Sequence, residues 1–222
     1  MEEKNKKIIF KIKNIITNLS EVYGTPIWKP RLKPMDELIF TVLTQNTSDL
    51  NAEKAFYKLK TLGSWEEILK TSDFQIAKLI KSGGMSNIKS KRILGILQEI
   101  KKRKNKLDIS FLSKLSLDDA RHWLTSIEGI GPKTASVLLS FSFNMPAIPV
   151  DTHIHRVSKR LNLITKKTSA EDAHYILEKL VEDKNKYSFH VLLINHGRKK
   201  CHSRNPKCEE CSLNKICNYK KL

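Results

Sequence analysis

The sequence predicts an all-α protein because of its apolar spacing, its capping residues and its lack of strand patterns. Near the N-terminus, apolar residues recur every three or four positions, as on one face of an amphipathic helix. They are Ile8, Ile12, Ile15, Leu19 and Val22. Runs that alternate apolar and polar residues, as half-buried strands do, are lacking in the 222 residues. We therefore expect about ten to twelve helices and no sheet.

Capping residues and apolar spacing place the individual helices. The first helix is expected over residues ~7–23, with lysines on its outer face. The next helices are expected to begin near Met35, Asp49, Ser64, Ser72, Ser86 and Ser116. Three pairs have the spacing of a capping box: Ser64 with Glu67, Ser72 with Gln75, and Ser116 with Asp119. The later helices fit residues ~132–143, 152–162, 170–182 and 187–199.

The charge balance indicates a polyanionic partner. Lysine and arginine number 41 against 23 acidic residues, which gives a formal net charge of +18 and a pI near 9.7. Such an excess destabilises a compact chain by self-repulsion unless an anion such as nucleic acid offsets it. An anionic membrane surface would also attract it, but no apolar run approaches the ~20 residues of a membrane span. No secretory leader is evident, so we expect a cytoplasmic, nucleoid-associated protein without a membrane.

Four cysteines lie close together near the C-terminus. They are Cys201, Cys208, Cys211 and Cys217. A disulfide framework is not expected without a secretory signal. Four thiolates in one short segment fit either a structural zinc ion or a 4Fe-4S cluster. Zinc sites usually pair two Cys-x2-Cys turns, whereas only one is present here, so the spacing favours iron–sulfur over zinc, with free thiols as a third interpretation.

A glycine-paired turn is the second informative motif. Residues 129–135 read Gly-Ile-Gly-Pro-Lys-Thr-Ala, between apolar positions that are typical of two short helices. The backbone N–H groups of Gly129, Ile130 and Gly131 would point at a phosphate oxygen, and a helix N-terminus would add positive potential. Alternatively the glycines form only a tight turn. The charge of the chain and the adjacent Lys133 favour phosphate binding.

Two residues are candidates for catalysis. An ordinary lysine is protonated near neutral pH, but a helix N-terminus, neighbouring cations and partial burial would favour the neutral amine. Lys133 could then attack an electrophilic sugar carbon and form a Schiff base; the alternative is a lysine that only binds phosphate. Asp151 precedes what looks like a helix start. It is either a simple N-cap or a carboxylate that supports positive charge or moves protons.

These motifs together resemble the endonuclease III branch of the helix-hairpin-helix DNA glycosylase superfamily, which acts in base-excision repair. The hairpin, the run Val-Asp-Thr-His-Ile-His-Arg at 150–156 and the cysteine spacing all match its signature, in the right order. The likeness extends over residues ~35–219, nearly the whole chain. It implies a fold of two helical lobes with a C-terminal 4Fe-4S loop at residues 201–217. The expected lobes are residues 34–146, and residues 1–33 with 147–222.

The resemblance also implies the chemistry and the roles of residues. Lys133 would attack C1′ of a damaged nucleotide and expel the base, and β-elimination from the Schiff base would nick the strand. Asp151 would assist base loss, and Gly129, Ile130 and Gly131 would bind phosphate. The partner would be double-stranded DNA with a damaged base or an abasic site, bound by a monomer. Arg204 and Lys207, in the loop shaped by the cysteines, would contact phosphates; a solvated basic surface is the alternative.

A flipped nucleotide leaves a hole that the protein fills. By resemblance, Met85 is the wedge and the segment containing Gln45 and Asn46 supplies a second filler, although Met85 could instead be a core residue. The chain departs from the family here, with Asn46 where glutamine is most common and Met85 where leucine is. Glu128 replaces a common proline. A preference for oxidised pyrimidines is therefore an inference from resemblance alone.

Three functions follow as hypotheses. The first is a DNA glycosylase with abasic-site lyase activity, indicated by Lys133 and Asp151. The second is a monofunctional glycosylase for mismatched or alkylated bases, in which Lys133 is only electrostatic. The third, from a different class, is a non-catalytic DNA-binding protein that uses the hairpin and the cysteine loop as a grip.

Overall fold

The computed structural model describes residues 2–219, and within these residues it contains helices and turns but no strand. The all-α prediction is therefore confirmed. The α-helices are α1 Glu2–Tyr23, α2 Pro34–Leu43, α3 Asp49–Lys60, α4 Trp65–Leu69, α5 Asp73–Leu79, α6 Ser86–Lys104, α7 Leu117–Thr125, α8 Pro132–Phe143, α9 Thr152–Arg160, α10 Ala170–Leu180 and α11 Lys186–Lys199. Short 3-10 turns lie at Lys81–Gly83, Ser110–Lys114, Asp183–Asn185 and Asn214–Ile216.

The chain forms two compact units. One consists of residues 30–145 and is called here the hairpin unit. The other joins residues 1–29 to residues 146–222 and is called the cysteine unit. The breaks expected from the sequence were at 33/34 and 146/147. A proline stands at each observed break, Pro30 and Pro146, and the last part of the chain packs on α1, so the cysteine unit is made of two separate segments.

The core of the cysteine unit is made by α1, α9, α10 and α11. From α1 it receives Ile12, Ile15 and Leu19, which are fully or almost fully buried, as their spacing predicts. Burial of apolar surface on this scale is the main favourable term in folding. Val22 is the exception, at 51% exposed. Tyr23, about 100° further round the helix, packs against the core in its place.

The hairpin unit is built from α2 to α8. Helix α2 packs on α3 and α8, α5 packs on α6, and α7 packs on α8. Its core is apolar, and the largest contributors from three of these helices are Leu38, Ile39, Leu43, Ile93, Ile96, Leu138 and Leu139. An ion pair joins Arg31 to the buried carboxylate of Glu37 at the start of this unit. The pair fixes the segment that leads into α2.

Most helix boundaries follow the capping signals. The Ser64 hydroxyl accepts the Glu67 N–H, and the Glu67 carboxylate accepts the Ser64 N–H, which completes a capping box. At Ser72 and Ser116 the serine caps the helix, but its partner's side chain bonds the serine hydroxyl rather than the backbone. Only the first of the three predicted boxes is therefore complete.

Candidate functional site

The turn between α7 and α8 is anchored by two apolar side chains. Ile127 and Ile130 are both buried, and the Ile130 N–H donates to the Ile127 carbonyl at 3.1 Å. The predicted phosphate role of the Ile130 amide is therefore not supported, because that N–H already closes the turn. Ile130 instead holds the turn onto the core.

The two glycines of the turn present free backbone donors. Gly131 is the N-cap of α8 and makes no side-chain capping bond, and Pro132 occupies the first helical turn. Among the described residues, no acceptor takes the N–H of Gly129 or Gly131. Free amides at a helix N-terminus favour an anion. The turn can thus bind a phosphate oxygen through these two glycines.

Gly129 is required by its backbone and by its neighbour. Its φ is +90°, a conformation that side chains rarely adopt. A Cβ there would lie 2.6 Å from Cγ of Arg92, which packs beneath the turn. Arg92, which was not predicted as a site residue, thus supports the turn from α6. Gly131 differs, because a Cβ built on it meets no atom within 4 Å.

Gln45 was predicted to lie near the lesion, and both the oxygen and the nitrogen of its side-chain amide are hydrogen-bonded. Its carbonyl accepts a hydrogen bond from Arg92, and its amide nitrogen donates to the Thr134 hydroxyl at 3.3 Å. Arg92 therefore connects the segment after α2 to the α7–α8 turn. The structure brings Gln45, Asn46 and Lys133 to one groove along this turn.

Lys133 is the second residue of α8 and its side chain is exposed. The partial burial expected from the sequence is therefore wrong for the protein without DNA. The helix N-terminus and Arg92 remain as positive groups beside the same groove. An exposed amine in this place can reach a bound strand.

Asp151 is the N-cap of α9. Its Oδ1 accepts the Ile154 N–H at 2.8 Å, so the predicted capping role is real. Its Oδ2 has no hydrogen-bond partner among the described residues, and the side chain is only half-buried. Capping therefore occupies one oxygen and leaves the other for a second role. Asp151 belongs to the cysteine unit and Lys133 to the hairpin unit.

Asn46 and Met85 meet at the surface of the hairpin unit. The Asn46 amide nitrogen lies 3.6 Å from Sδ of Met85. Met85 is 49% exposed, which contradicts the alternative that it is a core methionine. Both residues have positive φ, 54° and 48° respectively. The two predicted fillers are thus adjacent, and both are held in a conformation unusual for residues other than glycine.

The four cysteines are free and line one cavity. Burial, with a smaller contribution from the neighbouring cysteines, raises the pKa of the Cys211 and Cys217 thiols. Among residues 2–219, no three His, Cys, Asp or Glu side chains are close enough to hold a single metal ion. Four thiols around one cavity are the set of ligands that a 4Fe-4S cluster takes.

Basic residues surround this cavity. The Arg160 guanidinium donates to Cys201 Sγ at 3.2 Å and to the His202 carbonyl at 2.6 Å. Nε2 of His196 lies 3.6 Å from Cys211 Sγ, and burial, followed by the charge of Lys200, lowers the pKa of His196 to about 4. Cations and neutral donors beside the sulfurs stabilise thiolates. Arg160 and His196 were not predicted from the sequence.

The predicted DNA contacts Arg204 and Lys207 are both exposed on the loop between Cys201 and Cys208. The Lys207 N–H donates to the Lys200 carbonyl at 3.0 Å, which ties the loop to the end of α11. Glu210 pairs with Lys200, and Lys200, then Lys207, lower the pKa of its carboxyl group. The loop therefore presents two exposed cations, and its backbone is tied to the end of α11 at Lys200.

Comparison with known proteins identifies the family. Residues 39–183 match the HhH-GPD superfamily of base excision DNA repair proteins, and residues 201–217 match the iron–sulfur binding domain of endonuclease III. The chain belongs to the HhH-GPD superfamily. This membership confirms the resemblance inferred from the hairpin and the cysteines.

Relatives are similar along most of the chain. Endonuclease III of Sulfolobus acidocaldarius is 35% identical over 185 residues, which are 82% of this chain and 80% of that protein. Endonuclease III of Thermotoga maritima is 33% identical over 84% of this chain and 83% of that protein. A protein of Arabidopsis thaliana is 30% identical over 74% of this chain, which spans only 56% of that protein.

A solved structure shares the fold. A trapped covalent endonuclease III–DNA intermediate superposes with a TM-score of 0.82 at 24% identity, over 95% of both chains. The predicted two-lobed helix-hairpin-helix glycosylase fold is thus confirmed.

Within its superfamily the protein is an endonuclease III-type base-excision repair enzyme, a DNA glycosylase with abasic-site lyase activity, and DNA is its partner. Its cofactor is a 4Fe-4S cluster, held by the four cysteines of the C-terminal domain. When bound, the cluster supplies iron that cross-links the thiolates and so fixes the loop carrying Arg204 and Lys207. Within residues 2–219, no helix is long and apolar enough to span a bilayer.

Proposed function

We propose that the protein excises oxidised pyrimidines from duplex DNA and then nicks the strand, with Lys133 as the nucleophile. The observation that carries this proposal is the placement of Lys133 in α8. Its exposed amine follows the free amides of Gly129 and Gly131, so a phosphate bound by the turn brings a neighbouring sugar within its reach.

Lys133 acts in two steps. Its neutral Nζ forms a bond to C1′ as the bond from C1′ to the base breaks, and the base leaves with the bonding electrons and takes up the proton that Nζ releases. The nitrogen lone pair then breaks the bond from C1′ to the ring oxygen, which solvent protonates, and the product is a protonated Schiff base. Loss of a proton from C2′ then expels the 3′ phosphate and breaks the strand. Partial burial of the amine is supplied by the bound DNA, because the free protein leaves Lys133 exposed.

Asp151 supports base loss in this mechanism. As the base leaves, positive charge develops on the sugar, and a carboxylate beside it stabilises that charge. The unpartnered Oδ2 is the oxygen free to do so, since Oδ1 is occupied by the Ile154 N–H.

The remaining site residues serve nucleotide flipping and phosphate binding. Met85 and Asn46 fill the stack after the nucleotide leaves it, supported by their mutual contact and by the exposure of Met85. Gln45 lies at the groove beside Lys133, and Arg204 and Lys207 bind phosphates.

Preference for oxidised pyrimidines rests on the likeness to proteins named endonuclease III. The alternative is a monofunctional glycosylase for mismatched or alkylated bases, in which water rather than Lys133 attacks C1′. We further infer that the protein acts as a monomer, because one enzyme on one duplex needs no symmetry, and that it works at the nucleoid in the cytoplasm.

Borohydride trapping on duplex DNA with one abasic site tests the proposal. Wild type, Lys133→Ala and Lys54→Ala are compared; Lys54 is an exposed lysine of α3 in the same unit and serves as the matched control. We expect a covalent adduct with wild type and Lys54→Ala, and none with Lys133→Ala although it still binds DNA.

Other outcomes would overturn the proposal in different ways. An adduct that persists in Lys133→Ala would place the nucleophile elsewhere. Binding without any adduct in wild type would leave the monofunctional or non-catalytic functions. Base release from a panel of oxidised, mismatched and alkylated duplexes then decides between these two and tests the lesion preference.

A further inference from the structure

Lys89 is a buried lysine that the catalytic proposal does not use. It lies in the first turn of α6 and is 2% exposed. Its Nζ donates to the Leu43 carbonyl and to the Gly83 carbonyl, each at 2.7 Å. Lysine is almost never fully buried unless it is paired. Here the partners are two backbone carbonyls from distant parts of the chain.

The two carbonyls belong to the segments that carry the predicted fillers. Leu43 ends α2, and the chain then runs directly into Gln45 and Asn46. Gly83 ends a 3-10 turn, and Met85 follows two residues later. The Lys89 amine therefore links the two segments at the points where they begin. Their tips touch through Asn46 and Met85.

A second residue of the same helix adds to this bridge. Arg92, one turn after Lys89, bonds the Gln45 carbonyl oxygen. Helix α6 thus holds the Gln45–Asn46 segment at two points: Lys89 bonds the backbone carbonyl of Leu43 just before it, and Arg92 bonds the side chain of Gln45. Gly83 is also closely packed, since a Cβ there would lie 3.2 Å from the Ala55 Cβ.

Burying this amine has a cost. Burial, with a smaller effect from the Arg92 charge, lowers the pKa of Lys89, because the charged form loses its hydration. An apolar residue of similar length would avoid that cost but would leave both carbonyls without their donor. The two carbonyl acceptors offset part of that cost, and through them Lys89 joins the two segments.

We propose that Lys89 is a positioning residue for nucleotide flipping, which joins the Asn46 and Met85 segments into one preformed plug. This inference rests on the proposed function, since it concerns how that site opens the duplex. A joined plug enters the stack as a unit, so fewer degrees of freedom are lost on binding than with two independent loops. Lys89 itself touches neither the substrate nor the reacting atoms.

The test compares Lys89→Met and Lys89→Gln with wild type and with Lys101→Met. The last is the matched control, because it makes the same change on the same helix at a surface ion pair with Glu66. Fluorescence of 2-aminopurine placed opposite a non-cleavable abasic analogue reports insertion of the plug without any chemistry. We expect the fluorescence gain on binding to be lost in Lys89→Met and kept in Lys101→Met.

Activity assays provide a second readout. Release of a paired damaged base at saturating enzyme should fall by about tenfold to a hundredfold in Lys89→Met, as small misplacements do elsewhere. Borohydride trapping on an abasic site should fall by far less, because an abasic nucleotide has no base to unstack. A purely structural role would lower both rates equally.

The outcomes separate this inference from the proposed function. Unchanged fluorescence in both Lys89 variants, or no fluorescence gain in wild type, would refute the plug. Equal losses of base release and trapping would also refute it. A wild type that shows the fluorescence gain but neither releases bases nor is trapped refutes the proposed chemistry and leaves the plug supported. If Lys89→Met does not fold, Lys89→Gln is compared in the same way: its side chain is one bond shorter than lysine, so its amide should not bond both carbonyls and the fluorescence gain should again be lost.

Discussion

Asn46 and Met85 contact each other through an amide nitrogen and a thioether sulfur 3.6 Å apart, and both have left-handed backbone conformations. In a methionine this conformation costs about 1–3 kcal/mol and persists only where the surroundings enforce it, whereas asparagine adopts it more readily. Here two turns bring the residues together at an exposed surface. Such strain at a contact between two loops is typical of a functional site.

The first prediction concerns Met85. Met85→Ala removes the thioether and should slow release of a paired damaged base about tenfold or more, because the emptied stack is no longer filled. Single-turnover base release measures this. Ile88→Ala, an equally exposed apolar residue three positions later on α6, is the control and should have little effect. If base release slowed equally in both variants, the effect would come from removing any exposed apolar side chain, and Met85 would have no specific role.

The second prediction separates the two roles of Asp151. Asn caps a helix as well as Asp does, so Asp151→Asn should keep stability while base release falls steeply with the lost charge. Asp151→Ala should lose both, with a stability cost of about 1 kcal/mol for the missing cap. Thermal unfolding and base release measured on both variants check this. Normal base release in Asp151→Asn would show that Asp151 acts only as a helix cap.

The third prediction contrasts the two glycines of the α7–α8 turn. Gly129→Ala should destabilise the protein by about 1–3 kcal/mol, because its φ is +90° and its Cβ would strike Arg92. Gly131→Ala has open space and an ordinary φ of −89°, so stability should hold. Its DNA affinity should nevertheless fall, because the methyl group obstructs close approach of a phosphate. Chemical unfolding and DNA titration would measure the two effects, and unchanged affinity in Gly131→Ala would exclude close contact there.

The sequence predicts the parts of the site whose signals are local. The hairpin, Lys133, Asp151 and the cysteines lie in short motifs whose spacing carries their chemistry. Lys89, Arg92 and Arg160 could not be found this way, since each has a partner more than 40 residues away. In a chain with 41 basic residues, each of these looks like another solvated cation.

The fold shows the same division between local and distant signals. Serine caps placed the starts of α4, α5 and α7 correctly, because a cap acts within one turn. The end predicted for α8 at residue 143 is confirmed, whereas no end was predicted for α6. Asn105 and Asn144 terminate them in the left-handed conformation, where glycine is the expected signal.

The fourth prediction is a pH dependence at the capping box of α4. Hydrogen bonds from the Ser64 backbone and hydroxyl lower the pKa of Glu67 below its ordinary 4.5. The ionised form is thus favoured in the folded state, so the stabilisation is present above pH ~4.5 and is lost as the pH falls through the lower folded value. Glu67→Gln should therefore lower the melting temperature slightly at pH 7 and not below pH ~3. A constant difference across that range would contradict the linkage.

The fifth prediction tests the cysteine loop as a DNA contact. Lys207→Ala should weaken binding to all sequences alike and reduce the slope of log affinity against log salt by about one, because one phosphate contact is lost. Titrations at several salt concentrations measure the slope. Lys166→Ala, an exposed lysine of the same unit outside the loop, is the control and should leave it unchanged. Removing the iron with a chelator should reproduce the Lys207→Ala slope if the cluster fixes the loop. An unchanged slope in Lys207→Ala would place this cation in solvent, and the loop would then serve stability alone.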